Sequence, residues 1–373
     1  MKPDILSYLQ SINSSLRDKT DIPWNFKQTI ANDALSIITN MSIPTPPERV
    51  CKLYECNKQA LDDSQFCSDD HMETHNAKMA TPIRVRIVGN CWYGSTDPMK
   101  EFGLGCKTND YKWNRIHLVD TEPYDYTVVI NSPPSGMVLD KKKTLIFHME
   151  PNMEISPSVW GEWSNPEGFL KVFKHSTDYN NLQWHLNRTY TQLCQELESP
   201  PQNKEDKVSI IISGKYTDIG HVHRWNLATS LSQSDIPIAF YGMNNRYNLP
   251  NHLGPLPHLT KDIGMYQYKY HIAIENNSNY NYITEKIVDG ILAECLTFYW
   301  GAPNTRQYID KMAYIELDVT NIDKAINTIK TAIKEDWWSQ RIQYIREAKK
   351  KIINELAFLP RLEKTLLQLE NSS

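Results

Sequence analysis

The sequence predicts an α/β protein made of two Rossmann-like domains that face a cleft, with a helical and zinc-knuckle extension in front and a helical tail behind. Three observations lead there. Short apolar, β-branched runs recur with helix-length stretches between them, the pattern of parallel strands joined by crossover helices. These runs fall into two sets, parted by Ser199-Pro200-Pro201-Gln202-Asn203-Lys204-Glu205, whose composition is that of a linker. The length, 373 residues, suits two domains and a small additional module.

The elements follow in chain order. Residues 3–18 and 26–40 read as helices: Ile5, Leu6, Leu9, Ile12 and Leu16 share one face at helical spacing, and Pro23 separates the two segments. They form a helical arm over 1–48, closed by Pro44, Pro46 and Pro47. Residues 49–80 are poor in large apolar side chains and carry the spacing Cys51-x4-Cys56-x10-Cys67-x3-His71. Two close ligand pairs separated by a short loop suit tetrahedral zinc, and a block with so small a core needs such a staple. Unrelated reduced thiols in a loop are the alternative reading. With four protein ligands and no open position, the expected role of the metal is structural.

The domain over 81–200 begins with Ile83–Gly89, where apolar and basic residues alternate as in a strand. Tyr126–Asn131 and Thr144–Met149 are its other strands. The domain over 206–320 has strands at Val208–Ser213, Ile238–Tyr241, Tyr270–Ile274 and Leu296–Trp300, with helices at 221–232 and 284–294. Residues 321–373 form the helical tail, in which Ile322, Ile326, Ile329 and Ile333 make one apolar stripe.

Basic and acidic residues number 40 and 44, a net charge of −4. This excludes a basic field able to hold nucleic acid by charge alone. No apolar run approaches the roughly 18 residues that span a bilayer. Residues 1–24 carry Asp4, Asp18 and Asp21 without a continuous apolar core, unlike a secretory signal. The expectation is a cytoplasmic protein with reduced thiols. Residues 1–80 are its candidate surface for a protein partner.

The Gly-rich fingerprints of dinucleotide and P-loop sites are missing, and so is a nucleophile elbow. The informative stretch is 268–303. A strand runs into the polar loop 275–283, Thr284 is a good N-cap, and a further strand ends at Gly301. Ligands of open α/β sheets bind at the carboxyl ends of strands. Glu275, Asn276, Tyr282, Glu285 and Lys286 should therefore gather where a ligand sits. A carboxylate there can clasp ribose hydroxyls, and a lysine with helix N-terminal amides can hold a diphosphate. A solvated loop and an ordinary helix cap are the competing reading.

Ala273-Ile274-Glu275-Asn276, Tyr282-Ile283-Thr284-Glu285-Lys286 and Tyr299-Trp300-Gly301 resemble, in order, the signature of the α-1,3-fucosyltransferases, glycosyltransferase family 10. Weaker resemblance extends through 206–232 and to 144–153, while residues 1–80 lie outside it. The resemblance implies a GT-B fold, GDP-fucose as donor, inversion at the anomeric carbon and a glycan or glycoconjugate hydroxyl as acceptor. It implies that Glu285 binds the ribose, that Lys286 binds the diphosphate and that Asn276 and Tyr282 line the donor site. Arg224, in His221-Val222-His223-Arg224-Trp225-Asn226, resembles the family arginine that meets the phosphates. The sequence departs from the family pattern between 154 and 186. Trp160, Trp163 and Trp184 in that stretch suit either stacking on an acceptor or core packing.

An inverting transfer needs a base on the acceptor side. Glu150 follows a strand and precedes Pro151 and Asn152, a setting that resembles the family position of the proposed base. Glu154 and Glu162 are its rivals, and a capping or salt-bridged glutamate is the plainer reading. No Asp-x-Asp stands at a strand end to hold a cation under the diphosphate, so no catalytic cofactor is expected. The competing function is an inactive transferase-fold adaptor with a zinc interaction module. The joint presence of Asn276, Tyr282, Glu285 and Lys286 favours the enzyme.

Overall fold

Apolar residues on alternate positions make Ile83–Gly89 a strand that buries Ile83, Val85 and Ile87 and leaves Arg84 and Arg86 partly exposed. The computed structural model describes Ser68 and residues 81–89, 98–150, 167–175, 183–201, 203–242, 245, 248–257 and 259–371. The helices expected over 3–18 and 26–40 lie outside the described residues, as do Cys51, Cys56, Cys67 and His71.

The first sheet follows from β1 (Ile83–Gly89), β2 (Lys112–Trp113), β3 (Ile116–Leu118), β4 (Tyr126–Ile130), β5 (Thr144–Phe147) and β6 (Lys171–Phe173). Its order is β2-β3-β1-β4-β5-β6, with only the β2–β3 pair antiparallel. Helix α1 (Pro98–Gly103) packs against it through Phe102. The second sheet has β7 (Glu205–Ile211), β8 (Ile238–Tyr241), β9 (Tyr268–Ile274), β10 (Leu296–Trp300) and β11 (Tyr314–Glu316). Its order is β8-β7-β9-β10-β11, all parallel. Both sheets thus place their first parallel strand between the second and the third. The sequence shows no repeat, yet the architecture has one. In this order the chain reverses its winding beside the first strand, and that reversal opens a crevice at the strands' carboxyl ends.

Helix α2 (Tyr190–Glu198) is started by a capping box between Thr189 and Gln192, and its Leu193 joins the core of the second sheet. That core is closed by α3 (Ile219–Ser232) and α4 (Glu285–Leu292), and by α5 (Ile322–Lys334) and α6 (Trp337–Lys351) of the tail. No described helix is long and apolar enough to cross a membrane.

The tail departs from a simple helical appendage. Asp336 takes a left-handed conformation at φ 48° and starts α6 afresh. After α6 a π-helical turn, Ile352–Leu356, leads to an extended Ala357, and α7 (Phe358–Asn371) sets off again. Pro360 explains this break, since it lacks an N–H for the preceding turn and fits only at a helix start. Helix α7 returns to the first sheet. Phe358, Leu359, Leu362 and Leu366 enter its core, with the Phe358 ring 4.4 Å from that of Phe102. Polar contacts fix the register: Glu363 accepts from Trp113 Nε1 at 3.0 Å and Asn114 Nδ2 at 2.9 Å, and Arg115 grips Glu370 at 2.8 and 3.1 Å.

Leu362 is wholly buried. Its replacement in Leu362→Ala should lower the unfolding free energy by about 2–5 kcal/mol through lost transfer energy and a cavity. Denaturant titration checks this, and a loss below about 1 kcal/mol would mean that α7 adds little to the first core.

Candidate functional site

The exits of β7 and β9 diverge at the reversal point of the second sheet. Helix α3 follows β7 and is pressed onto the β9 exit. The Gly220 N–H donates to the Asn276 carbonyl at 2.8 Å, and a Cβ on Gly220 would lie 1.9 Å from the Glu275 carbonyl oxygen. Only glycine permits that approach. Asp218 caps α3 and accepts from Asn277 Nδ2 at 3.2 Å, which ties the two loops together. One turn into the helix, Arg224 is buried and donates to the Ile274 carbonyl and, at 3.3 Å, to Asn276 Oδ1.

Helix α4 starts beside this point. Thr284 accepts from the Lys286 N–H at 3.3 Å as its N-cap. Glu275, at 0% exposed, is not a ligand-facing group as its place in the polar loop suggests. Its carboxylate accepts from Thr284 N at 2.9 Å, from Thr284 Oγ1 at 2.7 Å, from Lys286 Nζ at 3.2 Å and from Tyr299 OH at 3.4 Å. The amides of Thr284 and Lys286 are thereby used within the protein, so they are not the ones to hold a diphosphate.

Glu285 and Lys286 face each other across 3.2 Å. Lys261, in a 3₁₀ turn over Lys261–Gly264, reaches the same Glu285 oxygen, also at 3.2 Å. Burial alone would raise the Glu285 carboxyl, but Lys261 and Lys286 outweigh it and hold the group well below the usual carboxylate range. Burial likewise opposes the charge on Lys286, and Glu275 and Glu285 overcome it, so this ammonium stays charged. Tyr282 is buried, its ring edge-on to that of His175 at 5.2 Å.

Glu150 comes from the first sheet. Beyond β5, Asn131 Oδ1 accepts from the Met149 N–H at 2.7 Å and fixes the exit of the strand. Asn281 Nδ2 donates to the His175 carbonyl at 2.8 Å, which links the β6 exit to the loop before α4. Burial pushes the Glu150 carboxyl up to about 7, against the pull of Lys286 and Lys215. Its Oε2 is buried without a hydrogen-bond partner among the described residues. Such an oxygen keeps an acceptor position unused.

The structure thus brings Arg224, Asn276, Tyr282, Glu285 and Lys286 together, with Glu150 in the field of the same cations. Trp184 is core: it is 1% exposed and its indole N–H donates to the Arg188 carbonyl at 2.9 Å. Trp160, Trp163, Glu154 and Glu162 lie outside the described residues. Among the described residues no group of three or more His, Cys, Asp or Glu side chains is placed to hold a metal ion. Sequence reading misses Lys261 and Lys215. Neither belongs to a motif, and their partners stand far off in the chain.

Residues 201–336 match the model of glycosyltransferase family 10 (fucosyltransferase), C-terminal part. This stretch is similar to the C-terminal part of that family. It contains the whole second sheet together with Arg224, Lys261, Asn276, Tyr282, Glu285 and Lys286, but not Glu150. The chain is 35% identical over 65 residues to the alpha-(1,3)-fucosyltransferase FucT of Helicobacter pylori, a match that covers 17% of this chain and 14% of that relative. Among solved structures, an alpha1,3-fucosyltransferase with GDP-fucose is 16% identical with a TM-score of 0.43, covering 74% of this chain and 92% of that one. An alpha-glucosyltransferase in complex with UDP and DNA is 10% identical with a TM-score of 0.46, covering 78% and 100%.

At this junction Glu275 ties β9 to α4. Glu275→Ala leaves Lys286 without one of its two carboxylate partners and Thr284 without its acceptor. It should cost about 3–5 kcal/mol in unfolding free energy. A urea titration in which the variant loses less than about 1 kcal/mol would show that other contacts carry the junction.

Proposed function

We propose that this chain is an inverting glycosyltransferase that moves fucose from GDP-fucose to a hydroxyl of a glycan or glycoconjugate, with its two sheets arranged as in the GT-B fold. The observation that carries the reading is the gathering of Glu285, Lys286 and Arg224 at the reversal point of a sheet that lies in the stretch matching the family 10 model. Lys286 meets the diphosphate through Nζ and Glu285 accepts from the ribose hydroxyls. Arg224, whose Nη2 is already committed to Ile274 and Asn276, fixes the β9 exit and adds positive charge behind the phosphates. Asn276 and Tyr282 line the donor.

The chemistry is one displacement. Glu150 takes the proton of the acceptor hydroxyl, the oxygen forms a bond to the anomeric carbon, and the bond from that carbon to the diphosphate oxygen breaks. GDP leaves with the electron pair, its added charge met by Lys286 and Arg224. A carboxyl raised to about 7 is matched to this task, because it is basic enough to take a proton and still ionised in a large fraction near neutrality. Cys51, Cys56, Cys67 and His71 are proposed to hold a structural zinc, and residues 1–80 to meet a protein partner. The adaptor reading is not favoured, since the charged cluster is complete.

Lys286→Ala removes one charge-assisted phosphate contact and should weaken GDP binding roughly tenfold or more. Unchanged affinity by titration calorimetry would move the diphosphate elsewhere. Glu150→Gln keeps the shape and removes the basicity, so turnover should fall roughly 10²-fold while donor affinity stays within a few-fold. Near wild-type turnover would reassign the base. Only the ionised form of Glu150 accepts a proton, so wild-type kcat/KM should fall as pH drops through about 7. Glu150→Gln should lack that limb. A limb that survives the substitution would belong to another group.

A further inference from the structure

Glu285 is held by two lysines, and both converge on one of its oxygens. Lys261 Nζ and Lys286 Nζ each lie 3.2 Å from Oε1. Oε2 has no hydrogen-bond partner among the described residues, and the side chain is 12% exposed, so the free oxygen is the one available to a ligand. The two lysines differ in their other contacts. Lys286 also pairs with Glu275 and stands where the diphosphate would draw on it. Lys261 turns the other way. Its ammonium meets the wholly buried Asp289 at 3.6 Å and donates to His185 Nδ1 at 3.3 Å. The ring proton of His185 therefore sits on Nε2, which faces Glu101 Oε1 of α1 at 3.2 Å. Asp289 Oδ1 also accepts the His185 N–H at 2.8 Å.

We propose that Lys261 is a positioning residue for Glu285: anchored by Asp289 and His185, it keeps the Glu285 carboxylate in place and ionised when Lys286 turns to the donor diphosphate. This rests on the donor-site reading above. Phosphate attracts Lys286 more strongly than a carboxylate already shared, so the Lys286–Glu285 contact weakens as donor binds. A buried carboxylate that loses its last cation takes up a proton, and a protonated Glu285 loses acceptor capacity toward ribose. Lys261 prevents this, and it can do so because its own anchors belong to the protein. Many charged groups face Glu285: Lys286 and Asp289 on α4, Glu275 at the β9 exit and Glu150 beyond β5. Lys215 after β7, Arg224 on α3 and His185 before α2 complete the set. Of these, only Lys286 shares with Lys261 a direct ion pair to Glu285 among the described residues.

The test is GDP binding by titration calorimetry at pH 8 and pH 5.5 for four proteins. These are the wild type, Lys261→Met, Lys261→Arg and the double variant Lys261→Met/Asp289→Asn. The double variant removes the carboxylate that the first substitution orphans and keeps the chain folded if Lys261→Met alone does not. The ratio of variant to wild-type Kd cancels the titration of GDP itself. We expect a ratio of roughly ten at pH 8 for the Met variants, and a further rise of several-fold at pH 5.5. Lys261→Arg, which keeps the charge, should restore most of the affinity and the flat ratio. A purely structural lysine would give no pH dependence in this ratio. Met variants that bind GDP like the wild type at both pH values would overturn the proposal and leave the donor site standing. A wild type that binds no GDP would overturn both.

Discussion

A carboxylate removed from water must be met by donors, and the one on Glu275 is met by four: the Thr284 amide, the Thr284 hydroxyl, Lys286 and Tyr299. The donors come from the start of α4 and the end of β10, and Glu275 itself stands at the end of β9. Take the carboxylate away and three elements lose their common point. With it in place, the first turn of α4 has one orientation, and Glu285 and Lys286 project from that turn in a fixed direction. Gly220 and Gly301 allow this closeness. A Cβ at Gly301 would come within 2.5 Å of Glu275 Cγ, and one at Gly220 would strike the backbone at its carbonyl. Precision at the site thus comes from a rigid junction beneath it.

Charge in this region is arranged in pairs of unequal exposure. The buried acids Glu275 and Asp289 sit behind, the half-buried lysines Lys286 and Lys261 sit between, and Glu285 sits in front. Buried ion pairs contribute little net stability, because desolvation offsets attraction. What they do here is set protonation. Glu285 is held well below the usual carboxylate range, while burial raises Asp289 to about 6. Two carboxyls of one helix, one turn apart, therefore take up protons in different pH ranges, Asp289 as the pH falls through about 6 and Glu285 only far below it.

Much of this was legible in the sequence, and the limits have physical causes. Strands such as Ile83–Gly89, Ile238–Tyr241 and Leu296–Trp300 could be read to the residue, the first from its alternation of apolar and basic residues and the other two from short runs of apolar and aromatic ones. Strands β2, β3, β6 and β11, two or three residues long, carry no period to read. Helix α2 had a readable signal in Thr189 and Gln192, and the start of α7 had one in Pro360. In the site, Glu285 and Lys286 were legible because they share a motif with the cap Thr284. The burial of Glu275 was not, since a polar loop gives no sign that one member points inward. Lys261 was not legible either: its contact with Glu285 spans 24 residues and depends on a 3₁₀ turn that no pattern announces.

Helix α7 has a consequence for the order in which the protein is made. The first sheet leaves the ribosome long before α7, the 14-residue helix that fills its core. During synthesis, Phe102, Trp113, Phe147 and Phe173 face an unfilled hollow, while the second sheet can gather its own helices as they emerge. The half that is translated first is therefore the half that finishes folding last. Its apolar face stays open to chaperones, or to a wrong partner, until α7 has emerged.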